Sequence, residues 1–291
     1  MFEDRAWRRR GDTGKRIRLS RIFNTHSGRA LVVPMDHSVT IGPLGGADHA
    51  DSTAGMLAAA GADAIVVHKG RARSIDPVHF TDMGLIIHLS AGTELAIDRT
   101  GKVIVGSVEE CLRLGADAVS VHINVGSLTE ATQLSDLGAV ATACEALGVP
   151  LLAMMYARGP QTRSRGELVD AQVEIQIESQ IETLSHLAAI ATDLGADIVK
   201  LDYAGSPEAM RAVADSCPLP ILVAGGPACG DDDTAIALGA EVAASGVSGL
   251  SFGRMIFDAH DPQRVAAGLA ERLHDARSGT SRPLLASRES A

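Results

Sequence analysis

The run Gly195-Ala196-Asp197-Ile198-Val199-Lys200-Leu201-Asp202-Tyr203 carries an apolar, β-branched stretch onto a lysine. An amine placed where a buried parallel strand finishes loses hydration, which favours its neutral, nucleophilic form. Such an amine attacks a ketone or aldehyde to give an iminium. The iminium withdraws electrons, so the C–C bond two atoms away breaks or forms through an enamine. Lys200 is therefore the candidate nucleophile, with a salt bridge to Asp36 or Asp202 as its structural alternative.

Aldol chemistry also moves a proton at the hydroxyl made or consumed. Tyr156, closing Met154-Met155-Tyr156, has a hydroxyl that can do this, although the same triplet reads equally as core with a tethered hydroxyl. Asp36, in Pro34-Met35-Asp36-His37, can orient a carbinolamine or accept its proton; otherwise it pairs with a lysine. Lys69 is a rival amine. The two-residue alternation of a strand turns it toward the helices or the rim, where an ion pair or a phosphate contact is its ordinary role. Gly225-Gly226 and Gly253-Arg254 end two later apolar runs. Backbone N–H groups in such loops cradle phosphate, and Arg254 adds charge and a fork of donors. Tight turns are the plainer explanation for these glycines.

These residues need elements to position them. The Gly-Ala-Asp phrase recurs at Gly61, Gly115 and Gly195, and more loosely from Gly246, each time followed by a β-branched run. A glycine that closes a helix ahead of a short turn and a strand is the mark of a βα unit. Strands are predicted at Ala30–Asp36, Ala64–Gly70, Gly84–Ser90, Ala118–Asn124, Leu151–Tyr156, Asp197–Asp202, Ile221–Gly226 and Gly249–Arg254. Helical periodicity occupies Ser107–Leu114, Glu130–Leu147, Leu168–Leu194, Pro207–Asp215 and Asp231–Ala244, while the connection between strands two and three is too short for a full helix. Eight such strands, with no G-x-G-x-x-G turn, predict an α/β fold, a closed (β/α)8 barrel rather than a doubly wound sheet. We expect an N-terminal extension over 1–25, one barrel domain over 26–275 and a disordered tail over 276–291. The basic stretch from Arg5 to Arg21 is expected as a solvated helix, with a place across a barrel end or a subunit contact as its alternative.

In this architecture the catalytic groups converge where strands hand over to their βα loops. The short list is Asp36 and His37, Lys69, Ser90, His122 and Asn124, Tyr156, Lys200 and Asp202, Gly225 and Gly226, and Gly253 and Arg254. His68, His88 and His122 raise a Zn²⁺ alternative, but H-x-H and H-E-x-x-H are both missing from the sequence. The formal charge of -10 over 291 residues argues against nucleic acid or an anionic membrane as partner, and leaves room for local basic pockets. Aromatic residues make up only 3%, too few for stacking platforms. No apolar run approaches a membrane span, and Cys111, Cys144, Cys217 and Cys229 lack disulfide-framework spacing, so a cytoplasmic enzyme with reduced thiols is expected.

Taken together, Pro34-Met35-Asp36-His37, His68-Lys69-Gly70, Leu85 to Ser90, Met154 to Gly159, Ile198-Val199-Lys200 and Ala224-Gly225-Gly226-Pro227 resemble the DeoC/archaeal-type class I fructose-bisphosphate aldolase family from about Arg18 to Arg272. The subgroups most similar are the 2-amino-3,7-dideoxy-D-threo-hept-6-ulosonate synthases and the aldolases of aminohydroxybenzoate biosynthesis. The resemblance implies Lys200 as the Schiff-base residue, Tyr156 as proton donor or acceptor and Asp36 as the assisting carboxylate. It implies phosphate at Gly225, Gly226, Gly253 and Arg254 and a homo-oligomer, often a decamer. From their places at the strand ends, His37, Ser90, His122 and Asp202 are expected as further substrate contacts, and an imine lysine needs neither a metal nor a cofactor. Both subgroups use L-aspartate 4-semialdehyde as acceptor. One condenses it with dihydroxyacetone phosphate; the other takes a three-carbon unit from a 6-deoxy-5-ketohexose 1-phosphate by transaldol transfer. The chain departs from the family at Ser38, at Ala91-Gly92 and at Leu201-Asp202-Tyr203, which leaves donor choice open. The Ala-rich composition and basic leader favour the condensing aldolase. A fructose-bisphosphate aldolase, a thiolase-like acyl transferase and a non-catalytic phosphosugar-binding regulator are the competing readings.

Overall fold

Each Gly-Ala-Asp phrase is a joint between a helix and a strand. In the computed structural model, which describes residues 12–42, 49–160, 173–226 and 230–275, Gly61, Gly115 and Gly195 take φ of 83°, 86° and 92°. Side-chain-bearing residues rarely adopt such angles, so glycine ends the helix there. The aspartate two residues on accepts a backbone N–H at the start of the neighbouring strand. Asp63 Oδ2 takes Leu31 at 2.6 Å, Asp117 Oδ2 takes Leu85 at 3.0 Å and Asp197 Oδ2 takes Leu151 at 2.9 Å. The repeat thus sets strand register at the N-terminal end of the sheet.

The strands so joined are β1 (Ala30–Pro34), β2 (Ala64–His68), β3 (Gly84–His88), β4 (Ala118–Val125), β5 (Leu151–Ala157), β6 (Ile198–Leu201), β7 (Ile221–Ala224) and β8 (Gly249–Ser251). All run parallel in chain order, and β8 returns to β1 through Ala30 opposite Gly249 and Leu31 opposite Leu250, so the sheet closes as an eight-stranded (β/α)8 barrel. The helices are α1 (Thr13–Ile22), α2 (His49–Ala59), α3 (Val108–Arg113), α4 (Glu130–Leu147), α5 (Val173–Asp193), α6 (Pro207–Ser216), α7 (Asp232–Ala244) and α8 (Pro262–Asp275). Between β2 and β3 the chain makes only a helical turn at Lys69–Ala72 and a 3-10 turn at Pro77–Phe80.

Strand alternation gives two cores. Leu31, Val33, Ile65, Val67 and Ile87 face the helix layer, whereas Ala30, Val32, Ala64, Val66, Ile86, Leu152, Ile198 and Leu222 fill the barrel interior. The small interior residues leave space that α1 closes from below, with Leu19, Ile22 and Phe23 at 1% exposure or less in that same interior cluster. The expectation of a solvated basic helix is therefore corrected for its described part. Lys15 is buried, 2.7 Å from Glu145 and 3.0 Å from Asp197, and Arg21 Nε is 2.6 Å from Asp117. The aspartates that fix strand register also anchor this helix, Asp197 by drawing Lys15 inward and Asp117 by pairing with the half-exposed Arg21, while Arg16 stays exposed.

Several predicted strands stop earlier than expected. Asp36, Lys69, Ser90, Gly225, Gly226 and Arg254 lie beyond the last strand residue, in the connections that follow. Cys229, Pro227, Arg5 and the expected tail lie outside the described residues. Among the described residues, no helix is long and apolar enough to cross a membrane.

Candidate active site

Alternation along β6 turns Ile198 and Lys200 toward the barrel axis and Val199 toward the helices. Lys200 stands in register between Met154 of β5 and Leu222 of β7. Tyr156 follows Met154 by two residues on the same face, one step nearer the C-terminal mouth. Both side chains are nearly enclosed, Lys200 at 6% and Tyr156 at 7% exposure. They line a cavity of about 380 Å³ together with Asp36, His37, His122, Asp202, Gly225, Gly226, Gly253 and Arg254. Ten of the eleven residues predicted for catalysis or binding therefore meet in one place.

Ser90 is the one that does not. Its buried hydroxyl accepts the backbone N–H of His122 at 2.9 Å, so it holds β4 in position instead of touching the cavity. Lys69 faces outward, its Nζ 2.8 Å from Glu110 Oε2 in a half-exposed ion pair. That is the ordinary role alternation assigned to it.

The floor beneath Asp36 is a set of buried imidazoles. His88 Nε2 lies 3.6 Å from Asp36 Oδ2, and its Nδ1 is 2.8 Å from Ser120 Oγ. The His68 ring meets the His88 ring edge-on at 5.2 Å. Burial pushes His88 down to about 4 despite the attraction of Asp36, so the ring is neutral at neutral pH. For Asp36, burial works toward the protonated acid. The fields of His88, His37, Lys200 and His68 outweigh it and hold the carboxyl below its usual range, ionised and able to accept a proton. His122 is driven well down by burial and by Lys102, and its Nε2 is 2.9 Å from Asn124 Oδ1. Because that oxygen can only accept, the neutral ring carries its proton on Nε2. His68 packs on His88, His88 and His122 hold different hydrogen-bond partners, and no group of metal-ligating side chains forms among the described residues.

Around Tyr156 the setting is cationic. The Arg158 guanidinium lies 4.0 Å over its ring, and the His122 ring is 4.8 Å away. Asp202, open to the cavity mouth, is raised by burial against the pull of Arg158, Lys200 and Arg254.

At the opposite wall, a Cβ on Gly225 would meet the Phe252 ring at 2.8 Å, and Gly226 has φ of 72°. The tight-turn explanation holds for both, and it is this turn that brings bare backbone to the cavity. His37 Nδ1 and Ser251 Oγ, on the same wall, are buried without a hydrogen-bond partner among the described residues. Polar capacity left unused in this way fits a wall that receives a polar ligand.

Four charged side chains of the cavity lay outside the predicted set: Lys102, Arg158, Arg99 and Glu94. Arg158 belongs to the Met154 to Gly159 motif and was within reach. The other three come from the loop between β3 and β4. There Ser90–Ala91 pairs antiparallel with Val103–Ile104 and folds the chain back over the barrel mouth, which strand periodicity cannot report.

The barrel that carries this cavity has counterparts among known proteins. Residues 30–259, a span that takes in all eight strands, match the DeoC/LacD family aldolase profile. The chain belongs to the DeoC/LacD family of aldolases. The 2-amino-4,5-dihydroxy-6-oxo-7-(phosphonooxy)heptanoate synthase of Streptomyces griseus is 43% identical over 264 residues, covering 91% of each chain. The 2-amino-3,7-dideoxy-D-threo-hept-6-ulosonate synthase of Halobacterium salinarum is 39% identical over 264 residues, covering 91% of this chain and 93% of that one. Among solved structures, an archaeal fructose-1,6-bisphosphate aldolase with its catalytic lysine bound to the carbinolamine intermediate superposes with a TM-score of 0.75. It is 26% identical and covers 89% of this chain and 98% of that one. The DeoC/LacD chain is accordingly an enzyme of the class I, Schiff-base aldolase type.

Proposed function

We propose that this aldolase joins dihydroxyacetone phosphate to L-aspartate 4-semialdehyde through an imine on Lys200, giving a seven-carbon amino sugar phosphate that serves as precursor of an aminohydroxybenzoate. The observation that carries the reading is Lys200 itself, enclosed in a cavity with Asp36 and Tyr156 in a chain 43% identical to a synthase of such a product. The name of that relative's product also supports the substrates. Breaking its C4–C5 bond leaves a phosphorylated three-carbon ketone and a four-carbon amino acid aldehyde.

In this reading the Lys200 amine adds to the ketone of dihydroxyacetone phosphate, and the carbinolamine loses water to give the iminium. Asp36 accepts protons released on this path. Loss of a proton from C3 of the donor gives the enamine, which attacks the aldehyde carbon. Tyr156 delivers a proton to the new hydroxyl, and water releases the product from the lysine. Gly225, Gly226, Gly253 and Arg254 hold the phosphate, with His37 beside them, while His122 and Asp202 meet the other end of the substrates.

The 39% identity to the hept-6-ulosonate synthase favours one other reading, transaldol transfer to the same semialdehyde. Mass spectrometry of the products separates the two. Dihydroxyacetone phosphate plus the semialdehyde gives a phosphorylated seven-carbon compound if the chain condenses them. No product from that pair, and one from a 6-deoxy-5-ketohexose 1-phosphate, assigns transfer instead.

The protein is further read as a cytoplasmic homo-oligomer, a decamer by family resemblance. Supporting this are the buried thiols Cys111 and Cys144, raised by burial to about 11 and about 12, and the exposed apolar side chains Leu95, Ile97 and Leu128. Light scattering on the eluted protein measures the oligomer directly.

A further inference from the structure

Lys102 has no part in the imine chemistry, yet it is 9% exposed and lines the cavity. Among the described residues its ammonium has neither an ion pair nor a hydrogen bond. The stem is buried and the unpaired ammonium opens to the cavity, partly stripped of water, where an anion entering the cavity would stabilise it. Burial, and after it Arg158, weakens the hold of Lys102 on its proton, with only Asp36 opposing. The remaining charges on this wall, Arg99 and Glu94, are exposed.

The position of Lys102 is also firmly built. Thr100 O accepts Asn124 Nδ2 at 2.7 Å and Gln133 Nε2 at 3.1 Å, which ties the loop to β4 and α4. Asp98 Oδ1 takes the Thr100 N–H at 2.9 Å and its hydroxyl at 2.6 Å. At Gly92 a Cβ would meet Gly101 O at 2.5 Å and Lys102 Nζ at 3.1 Å, so the lysine lies across a position that only glycine leaves free.

Topology places this cation opposite the phosphate wall. Lys102 enters from the connection between β3 and β4, and Gly225, Gly226 and Arg254 follow β7 and β8, which lie across the ring. In the product the phosphate is on C7, the imine carbon is C6 and the acceptor supplies C1 to C4. The acceptor must therefore extend from Lys200 away from the phosphate, carrying its carboxylate toward the β3 and β4 side.

We propose that Lys102, with Arg158, binds the carboxylate of the acceptor aldehyde and selects it over aldehydes that lack a negative charge. The assignment rests on the aldolase reading above and adds the group that recognises the acceptor. Arg158 keeps its place over Tyr156 while doing so, which couples acceptor binding to the proton-delivering hydroxyl.

The test is steady-state kinetics on the full chain, with dihydroxyacetone phosphate as donor and four acceptors: aspartate semialdehyde, succinic semialdehyde, propionaldehyde and glyceraldehyde 3-phosphate. The wild type is expected to favour the two carboxylated acceptors. In Lys102→Met, KM for both rises about tenfold or more, that for propionaldehyde moves little, and Lys102→Arg recovers part of the loss. Borohydride trapping of the donor on Lys200 accompanies each variant. A wild type that forms no adduct brings down the aldolase reading and this subsite with it. A normal adduct with carboxylate preference intact in Lys102→Met overturns the subsite alone, as does loss of the donor adduct in Lys102→Met. A wild-type preference for glyceraldehyde 3-phosphate that Lys102→Met abolishes would also overturn it, since the bound group would then be a phosphate.

Discussion

The His88 imidazole bridges Asp36 and Ser120, with Nε2 3.6 Å from the Asp36 carboxylate and Nδ1 2.8 Å from the Ser120 hydroxyl. A neutral ring buried between them gives the Asp36 carboxylate a fixed neighbour and makes the fold sensitive to acid.

The sign follows from linkage. His88 is held at about 4 in the folded chain against an ordinary 6.5, so between these values the unfolded chain binds a proton that the native one does not. Stability present above pH 6.5 is therefore lost as pH falls toward about 4, and His37, His68 and His122 shift in the same direction. The predicted result is a melting temperature that drops steadily from pH 7 to pH 5, with a shallower slope in His88→Gln. A melting temperature flat over that range would count against the buried neutral imidazoles.

Tyr156→Phe deletes the hydroxyl and keeps the ring under Arg158. We predict a fall in kcat of roughly 100-fold or more, as for loss of a positioned general acid, with KM nearly unchanged and the Lys200 adduct still trapped. Wild-type kcat in this variant would remove Tyr156 from the proton path.

Arg254→Ala should raise KM for the phosphorylated donor by roughly tenfold or more, the size expected for a charge-assisted hydrogen bond to phosphate. Initial rates across donor concentration read this directly. An unchanged donor KM would move the phosphate away from the β7 and β8 loops.

At the barrel floor, Lys15→Met leaves Asp197 buried without its cation and should destabilise the fold by about 3 kcal/mol in urea. Arg21→Ala breaks a pair whose arginine is 44% exposed and should cost roughly 1 kcal/mol or less. Equal losses would mean that α1 is not anchored chiefly through Lys15.

Much of this was legible in the sequence because the barrel repeats one local device. Each helix-ending glycine, aspartate and β-branched run announces a strand, and two-residue alternation turns Lys200 inward, whereas Lys69 opens the helical turn after β2 and pairs with Glu110. Ser90 misled because β3 ends at His88, so that Ser90 starts the antiparallel pair and gives its oxygen to the His122 amide. Lys102 was invisible for a related reason. It is placed by hydrogen bonds from Asn124 and Gln133 to Thr100, contacts between residues 24 and 33 apart that no periodic pattern encodes. The inward turn of Lys15 likewise depends on Asp197, which reads in sequence only as a turn residue.

The imine on Lys200 is read out by reducing the protein with borohydride in the presence of dihydroxyacetone phosphate and mapping the adduct by peptide mass spectrometry. One modified residue is expected, Lys200, and no modification in Lys200→Ala. An adduct on Lys69 or Lys102, or trapping that survives Lys200→Ala, would contradict it.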